Sequence, residues 1–471
     1  MCETRKRAFH FAGLVVKCII VHHLSERLRA GIPLPIRGMK APKKTAIRHC
    51  GACTIQYLVP LIFKKVFVMR KAMMHVFAGV IFLLTACSSE AQQSTGNEPV
   101  ETKKPNADYK SSFAGQTRIQ SVKTSTAFDH RVVTNGLKAP WGIAALPDGR
   151  FLVTEREGKL RMVAAAGVIS EPITGIPAVN SAGQGGLLGI CLDNAFKTNR
   201  MVYFAFSEPL PEGNVTAVAK GKLSSNEKSL EEVTVIYRAT PGYKGTLHYG
   251  GRVLMTKDGN LLISTGERSD LETRPQAQDL NSGLGKIIRI TTEGKPVAGN
   301  PFLGKAGARP ELYSYGHRNP QGIAIHPATG DLWETEFGPR GGDELNMVKP
   351  GNNYGWPVIT YGIEYSGKKI GDVIQQKEGM EQPVYYWDPV ISPSGITFYD
   401  GSAIAEWKNN LFISCLSSMH ICRLVIENNK VVGEERLLTS ENQRFRDITQ
   451  GTDGALYTIT DQGKLYRIGK K

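Results

Sequence analysis

The stretch HRNPQGIAIHPATGDLWETEFGPRGGDE, residues 317–344, decides the fold. Gly322 to His326 and Asp331 to Glu336 read as two short strands, with Ala328-Thr329-Gly330 supplying the turn between them. In an antiparallel pair the start of the first strand lies beside the end of the second. Arg318-Asn319 and Gly338-Pro339 are therefore expected to meet at the open end, and the hairpin presents one polar site rather than two.

The same unit recurs along the chain: a polar loop, an apolar strand, a turn, and a second strand ending in acidic or small residues. The copies are GIAALPDGRFLVTE after Pro140-Trp141; GGLLGICLDNAFKTNRMVYFAF after Gln184; GGRVLMTKDGNLLISTGE after His248-Tyr249; the opening stretch; GITFYDGSAIAEWKNNLFISC after Pro393-Ser394; and DITQGTDGALYTITD after Arg444 to Arg446. Their turns fall at Asp148, Asn199, Asp258, Gly330, Asn409 and Asp453, spaced by 51, 59, 72, 79 and 44 residues. Several copies continue into a third strand opened by Gly-Lys, at Gly158, Gly285 and Gly463. Repetition on this scale, with several strands per unit, predicts an all-β chain: a six-bladed β-propeller of four-stranded antiparallel blades. A two-sheet sandwich would leave the regular Asp-Gly turns unexplained. Applied to every blade, the hairpin rule gathers Gln184, His248, Arg318, Asn319, Arg444 and Arg446 at one mouth, together with Glu155, Glu267, Gly338 and Ser417. The opposite face is expected to receive little besides turns.

Charge excludes one class of function. Residues 1–86 hold 15 Lys and Arg against two acids, whereas residues 87–471 hold 43 basic against 41 acidic groups. The net charge of +15 thus belongs to the leading segment, and no nucleic-acid partner is indicated. Within that segment Arg70-Lys71, an apolar run and Leu84-Thr85-Ala86-Cys87 have the layout of a secretory signal, and its ending resembles a bacterial lipobox. Residues 69–86 are thus expected to be a lipoprotein signal peptide, residues 1–68 a non-native upstream extension, and Cys87 the lipidated first residue of an exported, membrane-anchored protein. Residues 87–112, rich in Ser, Gln, Glu, Lys and Pro, suit a disordered tether, leaving 113–471 for the propeller. Of the eight Cys, Cys50-Gly-Ala-Cys53 lacks a partner pair for a metal site. Cys415 and Cys422 could form a disulfide or remain buried thiols.

The residues gathered at the mouth define a chemistry. Three Arg match an anion bidentately and cannot discharge, a His beside an acid moves a proton, and Gly338-Pro339 offers backbone carbonyls of the kind that hold a hard cation. This combination, with GHRNPQG from Gly316, GPRGGDELN from Gly338, GQGGLLG from Gly183 and HYGGR from His248, resembles the pyrroloquinoline-quinone (PQQ)-dependent soluble glucose dehydrogenases. It is still more similar to the bacterial aldose sugar dehydrogenases of the same glucose/sorbosone dehydrogenase family. The resemblance spans about Thr134 to Ile468. It implies a six-bladed propeller with PQQ over one mouth, His248 as catalytic base, Gln184 as substrate-orienting amide, and Glu267 as the carboxylate that holds the His. It also implies cofactor contacts from Arg318, Asn319, Arg444 and Arg446, and Ca²⁺ held by the carbonyls of Gly338 and Pro339. The substrate would be an aldose, oxidised to its lactone, with electrons leaving to an unidentified acceptor. Two departures stand out: Ser417 follows Leu416 where the glucose enzymes place Lys, and Glu267 replaces Asp.

Two other classes of function share the fold. A calcium-dependent lactonase would hold its metal with side-chain carboxylates on the floor of the mouth, not with a Gly-Pro backbone beside three unneutralised Arg. A non-catalytic binding propeller has no reason to assemble His248, Glu267 and Gln184. Trp141, Trp356 and Trp387 suit either blade packing or sugar stacking.

Overall fold

Six antiparallel sheets form in the computed structural model, which describes residues 98–471. The upstream extension, the signal peptide and Cys87 lie outside the described residues. Blade 2 shows how a blade is specified. Its second strand, Met201–Leu210, alternates side chains between its two faces, and both faces are covered. Val202, Phe204 and Phe206 pack with Leu152 and Leu160 of blade 1. Tyr203 and Ala205 pack with Val253, Leu261 and Ile263 of blade 3. Two buried faces explain why such strands read as continuous apolar runs instead of strict alternation.

The blades begin with the inner strands Pro140–Ala145, Leu187–Leu192, Gly250–Met255, Pro320–Ile325, Pro393–Phe398 and Phe445–Gln450. Each inner strand contacts the next, and the sixth contacts the first, so the ring is closed. The six-bladed propeller expected from the repeats is what forms. Blade 1 has three continuous strands; its fourth place is taken by isolated bridges of Ile169 and Ile173 to Val163 and Leu160. Blade 6 obtains its outermost strand from the other end of the chain, where Phe128–Thr134 pairs with Leu465–Lys470. That closure ties the strand leading into blade 1 to the last strand of the chain by main-chain hydrogen bonds within blade 6. The turns of blades 1, 3, 4 and 6 place Gly149, Gly259, Gly330 and Gly454 at positive φ, the conformation that made their Asp-Gly or Thr-Gly pairs legible. Cys415 and Cys422 are buried free thiols rather than a disulfide.

The described part of the expected tether is ordered. Residues 98–112 lie against the propeller: Pro99 bridges Gln120, Glu101 pairs with Arg436 at 3.0 Å, and Asp388 accepts hydrogen bonds from the Asn106 amide and main chain and from Ala107 N–H. Asn106 Oδ1 also accepts from Arg340 at 3.1 Å. A polar composition predicts little apolar burial, but here directional hydrogen bonds to a buried carboxylate hold the segment. The ordered body therefore starts well before Phe113.

Candidate active site

The hairpin of blade 4 closes as its sequence suggests, with Pro320 opposite Glu336. Arg318 Nη1 donates to the carbonyls of Phe337 and Gly338, both at 2.9 Å. Glu336 fixes the Arg-Asn pair from beneath, its Oε2 accepting the main-chain N–H of Arg318 at 2.5 Å and of Asn319 at 3.2 Å. The same carboxylate, with Glu334, clasps the fully buried His317, each at 3.5 Å from Nδ1. Burial alone would lower the His317 pKa, but the two carboxylates more than offset it and raise it to about 9. The imidazolium so formed neutralises part of the acid cluster that supports Arg318. At the start of the third strand, Asp343–Val348, Asp343 accepts Gly338 N–H at 2.8 Å and the N–H groups of Ile391 and Ser392, while burial pushes its carboxyl up to about 7.

His248 stands just before the inner strand of blade 3 with φ of +46°. Gln184 Oε1 accepts its main-chain N–H at 2.8 Å, and its Nδ1 lies 2.6 Å from Glu267 Oε1. With the carboxylate accepting from Nδ1–H, Nε2 is left as the basic nitrogen. Burial, then the charge of Arg318, lower the His248 pKa to about 4 against the opposing pull of Glu267. The imidazole is therefore neutral at physiological pH and able to accept a proton. The loop is stapled by Arg268, which is buried, lies 4.0 Å over the Tyr249 ring and donates to the Leu247 carbonyl and to Asn214. Gly266 must be Gly, because a Cβ there would fall 2.2 Å from the His248 carbonyl oxygen and 2.7 Å from Asn319 Oδ1.

Beside this pair a cavity of about 200 Å³ is lined by Trp141, Arg156, Gln184, Arg444, Arg446 and Asp461, among others. Asp461 was missed by the sequence reading, and it corrects the expectation of unneutralised Arg: it pairs with Arg444 at 2.9 Å and Arg446 at 2.8 Å. The hairpin rule itself could have found it, since Phe445 lies opposite Thr460. Four buried polar atoms at or near the mouth have no hydrogen-bond partner among the described residues: Arg318 Nε, Asn319 Nδ2, Trp356 Nε1 and Glu267 Oε2. Such orphans are costly unless a ligand satisfies them.

Other expected residues divide. Glu155 reaches the mouth end of its strand, but its carboxylate is spent on Lys138 N–H and Arg161. Ser417 bonds the Ser392 hydroxyl. Trp387 is core, Trp141 lies under the guanidinium of Arg252 at 4.2 Å, and Trp356 lies 5.2 Å from each of Arg274 and Arg318. The opposite face is not featureless. A cavity of about 640 Å³ opens there between inner strands, lined by Ile143, Ile190, Val253 and Ile323 among others. Arg252, paired with Asp447 at 2.6 Å and bonded to the carbonyls of Gln321 and Arg446, separates the two mouths.

The comparisons agree with this architecture. Residues 137–467 match the family model for Glucose / Sorbosone dehydrogenase. Aldose sugar dehydrogenase YliI of Escherichia coli (strain K12) is 39% identical over 348 residues, covering 72% of this chain and 92% of the relative. A crystal structure of a glucose dehydrogenase superposes with a TM-score of 0.70 at 43% identity, covering 73% of this chain and all of that one. The PQQ-bound form of an aldose sugar dehydrogenase from Streptomyces coelicolor does so with a TM-score of 0.61 at 30% identity, covering 74% and 100%. With the family model matching from the first blade to the last, this chain belongs to the glucose/sorbosone dehydrogenase family.

Proposed function

We propose that the protein is a PQQ-dependent aldose dehydrogenase that oxidises its sugar at the anomeric carbon to a lactone. The observation that carries this reading is the neutral, carboxylate-braced imidazole of His248 set beside a cavity walled by several guanidiniums. When bound, PQQ supplies the electrophilic carbon that accepts hydride. The chain does the rest: His248 Nε2 takes the anomeric hydroxyl proton, and Glu267 stabilises the imidazolium as it forms. The main-chain bond from His248 occupies Gln184 Oε1 and leaves the Gln184 NH₂ for the sugar. Arg318, Asn319, Arg444 and Arg446 hold the anionic cofactor, and the two electrons then leave to an external acceptor.

The carbonyls of Gly338 and Pro339 would hold Ca²⁺. Its fit is conditional: Arg318 already donates to the Gly338 oxygen, so a cation there shares or displaces that bond. Support for the cofactor is the donor set and the PQQ-bound relative; support for the metal is the carbonyl pair alone. Purified apoprotein should acquire a visible quinone band and aldose-dependent dye reduction when PQQ and Ca²⁺ are added together. A calcium-dependent lactonase would hydrolyse lactones without PQQ, and that result would displace the reading. Export and anchoring through Cys87 belong to the same proposal, resting on the Leu-Thr-Ala-Cys ending. Mature protein retaining residues 1–68 would refute them.

A further inference from the structure

We infer that Arg156, to which neither the motifs nor the repeats gave a role, is an additional anion-binding residue of the cofactor cavity, recognising a carboxylate of the quinone. The inference rests on the functional reading above and adds a contact to it. Arg156 follows the second strand of blade 1, Phe151–Glu155, and lines the same cavity as Arg444 and Arg446. Those two share the single carboxylate of Asp461. Among the described residues, no carboxylate lies within ion-pair distance of Arg156. The cavity wall therefore carries three guanidiniums against one acid.

The donors of Arg156 are divided in a way that leaves one edge free. Nε donates to the Gly185 carbonyl at 3.2 Å, and Nη2 to those of Gly183 at 2.5 Å and Ser181 at 3.3 Å. These bonds grip the turn on both sides of Gln184. Nη1, with two N–H groups, has no protein partner among the described residues. Half-buried and facing Arg446, the guanidinium is disfavoured first by desolvation and then by that like charge. Arginine cannot relieve the conflict by losing its proton. A polycarboxylate in the cavity relieves it, because a guanidinium edge matches a carboxylate bidentately. The alternative is that Arg156 only clamps the Gly183–Gly185 turn and acts on turnover through Gln184.

Titrating apoprotein with PQQ, followed by absorbance and tryptophan quenching, separates the two in the wild type, Arg156→Gln and Arg156→Lys. Anion binding predicts quinone affinity at least tenfold weaker in R156Q. It also predicts a flatter dependence of affinity on ionic strength, and a partial recovery in R156K, which keeps the charge but not the fork. Affinity within twofold of wild type in R156Q overturns the inference even if turnover falls, because a clamp alone predicts that pattern. If R156Q does not fold, R156K carries the test: unchanged affinity together with an unchanged salt dependence in that variant refutes bidentate recognition. Failure of the wild type itself to take up PQQ is a different result, overturning the functional reading together with this contact.

Discussion

Replacing Glu267 by Gln isolates the charge that braces His248. The side chain is buried, 1% exposed, and its Oε1 is 2.6 Å from His248 Nδ1. Gln keeps an oxygen that can accept Nδ1–H, so the ring orientation and tautomer can persist while the negative charge is lost. In the proposed mechanism, what disappears is stabilisation of the imidazolium formed as the sugar hydroxyl gives up its proton. Two unit charges about 3.5 Å apart at an effective dielectric near 20 attract by about 5 kcal/mol, an upper bound before desolvation is subtracted. Hydrogen bonds to charged groups contribute about 1.5–3 kcal/mol net. At 1.36 kcal/mol per tenfold in rate, kcat in E267Q should fall by roughly 10- to 150-fold. Quinone affinity should change little, since the proposed cofactor anchors are elsewhere. The assay is dye reduction at saturating aldose, alongside a PQQ titration and a thermal melt of the same preparation. Folded E267Q with kcat within twofold of wild type would refute the role given to the pair.

Burial of neutral His248 makes stability depend on acid. Its pKa is lowered from 6.5 to about 4 on folding, so its contribution is complete above the unfolded value and is lost as pH falls from 6.5 toward 4. Between pH 7 and 5 the wild-type apoprotein should lose about 2 kcal/mol more stability than His248→Gln, as read by urea unfolding; equal losses would contradict the buried neutral imidazole. In the amino-terminal strap, Asn106→Ala removes one bond to the buried carboxylate of Asp388 and the acceptor for Arg340. Urea unfolding should show a loss of about 1–3 kcal/mol, and no loss would mean that the remaining bonds from the Asn106 and Ala107 main chain suffice.

The propeller was legible because its information is local. A turn such as Asp148-Gly149 or Asp453-Gly454 sets the register of the hairpin around it, and six such hairpins in series announce themselves by repetition. The pairing of Arg318 with the carbonyl beside Pro339 followed from the same local rule. So did the shared mouth of His248, Gln184 and Glu267, because His248 and Glu267 flank the open end of the blade 3 hairpin and Gln184 precedes the inner strand of blade 2. Composition misled at residues 98–112, where it records how little apolar surface is available but not that Asp388, some 280 residues away, waits for hydrogen bonds.

Residue types and their place along each blade were enough to name an imidazole, a carboxylate and several guanidiniums on one face. Closing the ring settled what each became. Burial and the approach of Arg318 keep His248 neutral, Asp461 claims two of the arginines, Arg156 is left without a carboxylate among the described residues, and Arg252 seals the axis between two cavities. Apart from the Asp461 pairs, which lie within the blade 6 hairpin, these outcomes depend on distances of a few ångströms between different blades. Desolvation and Coulomb energies change steeply over that range, and no spacing along a single strand records them.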